Sequence, residues 1–288
     1  MSYLSYVVVQ FEILAMIALA LNLIVSCGQL HAGIAGFYGI GALTLALLLK
    51  RVDPGFPAVL GAAGLSAAVA SLAVSIPSWK FRGEAFVMVS LAAQVCIYSL
   101  MYNLTNLTGG PFGVVGIRKP ALGGLVFNSS QQLAVLYGVI LVIMVIFLLG
   151  LLSSSFGRNI KAIRNDELAA RSLGIPVRRV KTQVISIASA IVGIAGALYA
   201  SAASYIDPTL FTLDESILML SMVIIGGAGN TKGPLVGALV LIGIPEALRF
   251  LSLPSSVVGS LRVVIFGLLL IAIIRLRPQG LAGRYRIE

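Results

Sequence analysis

Residues 127–157 read FNSSQQLAVLYGVILVIMVIFLLGLLSSSFG, a run without one charged side chain. About 20 such residues suffice to cross the hydrocarbon core of a bilayer as a helix. A second uncharged run, 182–206, reads TQVISIASAIVGIAGALYASAASYI. The whole chain follows suit: of its 288 residues, 59% are hydrophobic and only 10% charged. Soluble domains sit nearer about 45–50% apolar and about 25% charged, so a water-soluble fold is excluded. A transmembrane β-barrel would alternate polar and apolar residues in short segments, and these runs are apolar throughout. The sequence specifies an all-α, multi-pass integral membrane protein.

Nine apolar segments follow one another: 7–25, 30–49, 57–77, 85–103, 132–152, 182–205, 212–227, 234–250 and 256–274. A polytopic bundle of about eight to ten transmembrane helices is expected, some broken at glycines, in one domain over 1–288. The first segment is not read as a signal peptide, since residues 1–6 carry no charge and Glu12 interrupts it. Cys27 and Cys96 lie at or inside apolar segments and read as small buried hydrophobes.

The chain carries 20 Lys and Arg against 10 Asp and Glu. Seven of the basic residues fall in 158–181 and four in 275–286, beside spans, where Lys and Arg mark the cytoplasmic side. Nucleic acid is therefore not an expected partner; membrane lipid is. With 158–181 inside, Lys80 and Lys232 also fall inside and the N-terminus outside. Two pairs break the rule, Lys50–Arg51 and Arg118–Lys119, which fall outside. Residues 104–131, rich in Gly, Asn, Ser and Thr, read as an ordered outer loop with turns.

Enzymatic chemistry finds no support. The stretch 226–233, GGAGNTKG, has the wrong spacing for a phosphate-cradling loop, so the chain does not itself hydrolyse ATP by that route. A single histidine, His31, excludes a zinc protease on ligand count, and no metal, catalytic residue or cofactor is expected. His31 reads better as a hydrogen-bonded packing residue than as a catalytic base.

Small residues cluster twice: Gly28, Gly33, Gly36, Gly39 and Gly41 early, then Gly226, Gly227, Gly229, Gly233 and Gly237 late. Such interrupted segments point either to close helix packing or to a translocation pathway, and both readings stand. Candidate pathway residues are Asn22, Gln29, His31, Gly36, Gln94, Gly226 and Gly227. Glu246 and Arg262, eight residues either side of Pro254, are expected to pair inside the membrane as a structural clamp.

Residues 153–181 form the second long loop and the most informative one; within it 157–176 read GRNIKAIRNDELAARSLGIP. Ile160, Ile163, Ala170 and Leu173 recur at helical spacing, and Glu167 to Arg171 is a favourable i,i+4 pair. Gly174 and Pro176 stop the helix. A short amphipathic helix on the cytoplasmic face is expected, resting on lipid or docking a soluble partner.

Taken in order, six stretches resemble the permease subunits of bacterial branched-chain amino acid ABC importers. They are the Gly-rich 28–42, Arg82-Gly-Glu-Ala-Phe and 107–113 (LTGGPFG), the inner loop 158–174, 226–234, and 277–281 (RPQGL). The second and third of these resemble the LivM-like type. The resemblance implies a coupling loop for ATPases carried by Arg158, Ile160, Ile163, Arg164, Asp166, Glu167, Ala169, Ala170, Arg171 and Gly174. The importer pattern E-A-A-x-x-x-G is shifted, with Leu168 at its Glu position and the acid at Glu167. The implied partners are a second homologous permease, two ATP-binding subunits and a periplasmic substrate-binding protein, at the bacterial inner membrane. A stand-alone secondary carrier or channel for small polar solutes is the alternative.

Overall fold

The computed structural model describes residues 2–51, 55–81, 83–122, 125–249, 255–277 and 279–282. The chain is all-α, with helices on all nine apolar segments. They are α1 (Ser2–Ser26), α2 (Ile34–Arg51), α3 (Phe56–Ser75) and α4 (Glu84–Asn103). After a short α5 (Thr105–Thr108) come α6 (Ser130–Ser153), α7 (Ser155–Asn165), α8 (Glu167–Ser172) and α9 (Val177–Ala203). The last are α10 (Leu213–Gly226), α11 (Lys232–Arg249) and α12 (Ser255–Leu276). Among the described residues, five helices are long and apolar enough to span a membrane: α1, α3, α4, α6 and α9. At a rise of about 1.5 Å per residue, α10 is about 21 Å long, less than the hydrocarbon core.

The centre of the bundle is built from α1 and α9, both largely enclosed. Small residues make that possible. A Cβ on Gly41 would lie 2.0 Å from the Gly193 carbonyl oxygen, and one on Gly196 would lie 2.0 Å from that of Tyr38. At those points α2 and α9 touch backbone to backbone, which only glycine allows. By contrast, Val135, Val139, Val142, Ile143, Ile146 and Phe147 of α6 are exposed, a bulky apolar stripe suited to lipid chains. Its first turn is secured by a capping box, with Ser129 accepting from the Gln131 amide while the Ser129 amide donates to Gln132.

Polar irregular structure gathers at one end of the bundle. There β1 (Val114–Val115) pairs antiparallel with β4 (Tyr205–Ile206), and β2 (Ala121–Leu122) pairs with β3 (Leu125–Val126). At the other end lie α7, α8, the 76–81 turn and the turn after α1. Gly28 packs on the Arg164 backbone there, so α1 begins at the end opposite α7.

Candidate functional site

The early Gly-rich segment is a broken helix. Between α1 and α2, residues 27–33 are non-helical yet largely buried. A helix starting inside apolar surroundings exposes amide donors that water cannot reach. Here side chains of neighbouring helices, and one of the segment itself, take them. Ser90 of α4 accepts from the Ala32 amide at 3.0 Å, and His31 Nδ1 accepts from Gly33 at 3.2 Å. Ser216 of α10 accepts from Ala35 at 2.9 Å, and Gln94 Oε1 accepts from Gly36 at 2.5 Å. Gln94 also donates Nε2 to the Phe211 carbonyl at 2.7 Å, so it is a strut joining α2, α4 and the turn before α10.

The candidate pathway residues therefore divide. Gln94 and Gly36 are engaged in that cap. Asn22 is buried and clasps the late Gly-rich turn, donating to the Asn230 carbonyl at 3.0 Å and accepting from Gly229 at 3.1 Å. Gly226 allows close backbone contact: its Cβ would lie 2.0 Å from the Gly233 carbonyl oxygen. Gly227 holds a φ of 91° where α10 ends and the turn toward α11 begins. His31 is fully enclosed between Phe37 and Phe86, with ring centroids 5.6 and 5.8 Å away. Gln29 is different: it is 3% exposed and, among the described residues, neither end of its carboxamide has a partner, as is also true of His31 Nε2. Buried polar atoms without partners ask for water or a ligand.

The inner loop forms two helices where the sequence suggests one. Asp166 ends α7 and caps α8, its Oδ1 accepting from the Leu168 and Ala169 amides at 2.8 and 3.1 Å. Local side-chain capping outcompetes helix continuation at that residue. Ile160, Ile163 and Ala170 are buried, whereas Leu173 is 79% exposed, so the apolar stripe stops one turn early. Arg158, Ala169 and Arg171 face outward and Arg164 is half-buried. The end of α8 is a Schellman turn: Ile175 donates to Ala170 at 3.1 Å and Gly174 to Arg171 at 3.0 Å, with Gly174 at φ 79°.

Two ion pairs meet at Glu167. Arg171 reaches it at 2.7 Å on the surface, the i,i+4 pair read from the sequence. Lys181 of α9 reaches its other oxygen at 2.8 Å with a side chain only 3% exposed. Lys181 also approaches the Ser78 carbonyl at 3.5 Å, while Trp79 donates to Thr182 at 2.9 Å and carries Arg178 over its ring. The platform α7–α8 is thus pinned to α9, and α9 to the α3–α4 turn. The Cys27 thiol lies within electrostatic range of both Lys181 and Glu167. This convergence spans 14 residues across a glycine turn, so no periodicity announces it. The Asp166 break had a signal, an N-cap residue followed by an acidic first turn.

Glu246 accepts a hydrogen bond from the Tyr3 hydroxyl, joining α11 to α1. Its expected partner Arg262 has a side chain outside the described residues, as does Pro254. Among the described residues no group of three or more His, Cys, Asp or Glu is placed to hold a metal.

Comparison with known proteins adds the family. The model of the branched-chain amino acid transport system permease component matches residues 3–274. The high-affinity branched-chain amino acid transport system permease protein LivM of Escherichia coli K12 is 34% identical over 92% of this chain. The chain spans 66% of that relative's length, slightly under two thirds. The probable LivM permease of Methanocaldococcus jannaschii is 29% identical over 84% of the chain and 69% of its own length. The L-arabinose ABC transporter permease protein AraH of Azospirillum brasilense is 27% identical over 83% of the chain and 70% of its own. No solved structure matches.

Proposed function

We propose, since this chain belongs to the permease components of branched-chain amino acid transport systems, that it is the membrane-spanning subunit of an ATP-driven importer. In this reading the whole chain acts as one transmembrane domain of a bacterial inner membrane. It lines a route for branched-chain or related amino acids and leaves ATP hydrolysis to other subunits. The complex would join this chain to a second homologous permease, two ATP-binding subunits and a periplasmic substrate-binding protein.

The observation that supports it most is the docked platform. An interfacial helix resting on lipid needs no ion pair to a span. Here α8 is fastened to α9 through Glu167 and a buried Lys181, and α7 bears on the turn that opens the broken helix. Movement of α7–α8 by ATPases would pass to α9 through Lys181 and to 27–33 through Gly28. The Gln29 carboxamide and His31 Nε2, without partners among the described residues, lie on that second route, so of the pathway candidates these two carry the reading.

The test is uptake of leucine and valine into liposomes holding the permease with its co-extracted subunits. Transport that requires ATP and the binding protein supports the importer. Transport by this chain alone, without ATP, would establish the stand-alone carrier instead.

A further inference from the structure

The two basic pairs that break the inside-positive pattern lie 68 positions apart in sequence, and the fold brings them to one place. A cavity of about 510 Å3 opens where α2 ends and α3 begins, lined by Leu49, Phe56 and Val126 with Arg118 and Lys119 on its rim. A second cavity of about 210 Å3 adjoins it, sharing Leu49 and Arg118 and adding Lys50. The β2–β3 hairpin supplies one wall, and Lys119 is fixed to it by donating to the Asn128 carbonyl at 2.7 Å.

In sequence, 50–53 and 118–119 carry four Lys and Arg against one acid, Asp53. Basic residues outside oppose the usual orientation bias. Gathering Lys50, Arg118 and Lys119 around two adjoining cavities gives the exception a purpose. The chemistry is amphipathic, with an apolar floor at the level of a helix terminus and a cationic rim. A phosphate on a glycerol backbone meets that description, and basic pockets at helix ends hold anionic headgroups in this way. The volume suits a headgroup, within the roughly 300–1,000 Å3 of small-molecule pockets.

We infer that this cavity holds the headgroup of an anionic phospholipid from the outer leaflet, with its acyl chains running down the exposed face of α3 formed by Leu65, Val69 and Leu72. An acidic face of a periplasmic protein is the less favoured occupant, because carboxylates alone would leave the apolar floor against water. Lipid binding here is independent of whether the chain transports amino acids.

The test is native mass spectrometry of the permease extracted with its partners and titrated with phosphatidylglycerol or phosphatidylcholine. The wild type is expected to retain one phosphatidylglycerol in preference to phosphatidylcholine. K50Q/K119Q should weaken that retention roughly thirtyfold, because two cationic groups no longer face the phosphate, while K50R/K119R keeps it. The arginine variant preserves the donor to Asn128, so the comparison survives if the glutamine variant folds poorly. Equal retention of both lipids, or displacement of phosphatidylglycerol by millimolar inorganic phosphate, would overturn the proposal. So would unchanged lipid retention in K50Q/K119Q accompanied by loss of the periplasmic partner.

Discussion

Removing the Glu167 carboxylate separates two interactions of very different worth. Toward Arg171, whose side chain is 41% exposed, the pair is an i,i+4 surface contact contributing about 0.3–0.5 kcal/mol. Toward Lys181, 3% exposed at 2.8 Å, it neutralises a cation that water scarcely reaches. The Ser78 carbonyl also faces Lys181, but at 3.5 Å it is too far to replace a carboxylate. Stripping one partner from a buried pair costs about 3–5 kcal/mol, because the remaining charge stays desolvated. Glu167 keeps a side-chain exposure of 9%, which places E167A near the lower end, about 3 kcal/mol. R171Q should lose no more than about 0.5 kcal/mol. The double variant E167A/K181M carries no orphan charge and should be more stable than E167A alone, with a coupling energy of about 2 kcal/mol or more. Equilibrium unfolding of the purified complex in mixed micelles measures the wild type and each variant, and ATP-driven uptake in liposomes follows coupling. Additive losses in the double variant, or an R171Q loss equal to that of E167A, would refute the assignment of Lys181 as the partner that matters.

Other perturbations follow from the packing. G41V should abolish accumulation of folded protein in the membrane, since its Cβ meets the Gly193 backbone at 2.0 Å and costs beyond the usual 1–3 kcal/mol of overpacking are expected. G61A, where a Cβ meets nothing within 4 Å, is the matched control and should be neutral or stabilising by up to about 1 kcal/mol; extraction yield and monodispersity distinguish the two. Q94L orphans the Gly36 amide and removes the donor to Phe211, a loss of about 2–6 kcal/mol at about 1–3 kcal/mol per group, read as a lowered unfolding midpoint. G174A forces a side chain into left-handed backbone at φ 79°, at about 1–2 kcal/mol, and should lower uptake per ATP hydrolysed while the protein remains in the membrane.

The membrane class was legible because it needs only composition and run length, and every apolar segment read from the sequence carries a helix. The interruption near Gly28 was visible as glycine density, but which side chains satisfy the opening of α2 was not. Ser90, Gln94 and Ser216 come from helices well over 50 residues further along the chain, and capping at that range leaves no local pattern. Gln94 and Asn22 stood out as polar residues in apolar runs. The structure gives both a definite set of backbone partners, which is the commoner fate of buried amides. The glycine clusters left packing and pathway undecided. Close backbone approaches are seen at Gly41, Gly226 and Gly233 of those clusters. The inner loop's periodicity located the buried faces of Ile160, Ile163 and Ala170, yet ran on to Leu173 because helical spacing says nothing of the break at Asp166. Lys181 was counted among the cytoplasmic charges, and its burial against Glu167 emerges only once α8 folds back on α9.

The proposed importer makes this chain one subunit of an ATP-powered assembly. Gentle detergent extraction from the native membrane, followed by mass spectrometry of what co-purifies, tests it most directly. Two ATP-binding subunits and a related permease are expected, released together when Glu167 and Gly174 are intact and without the ATPases when both are substituted. A chain that emerges alone and still moves amino acids in liposomes without ATP would contradict it.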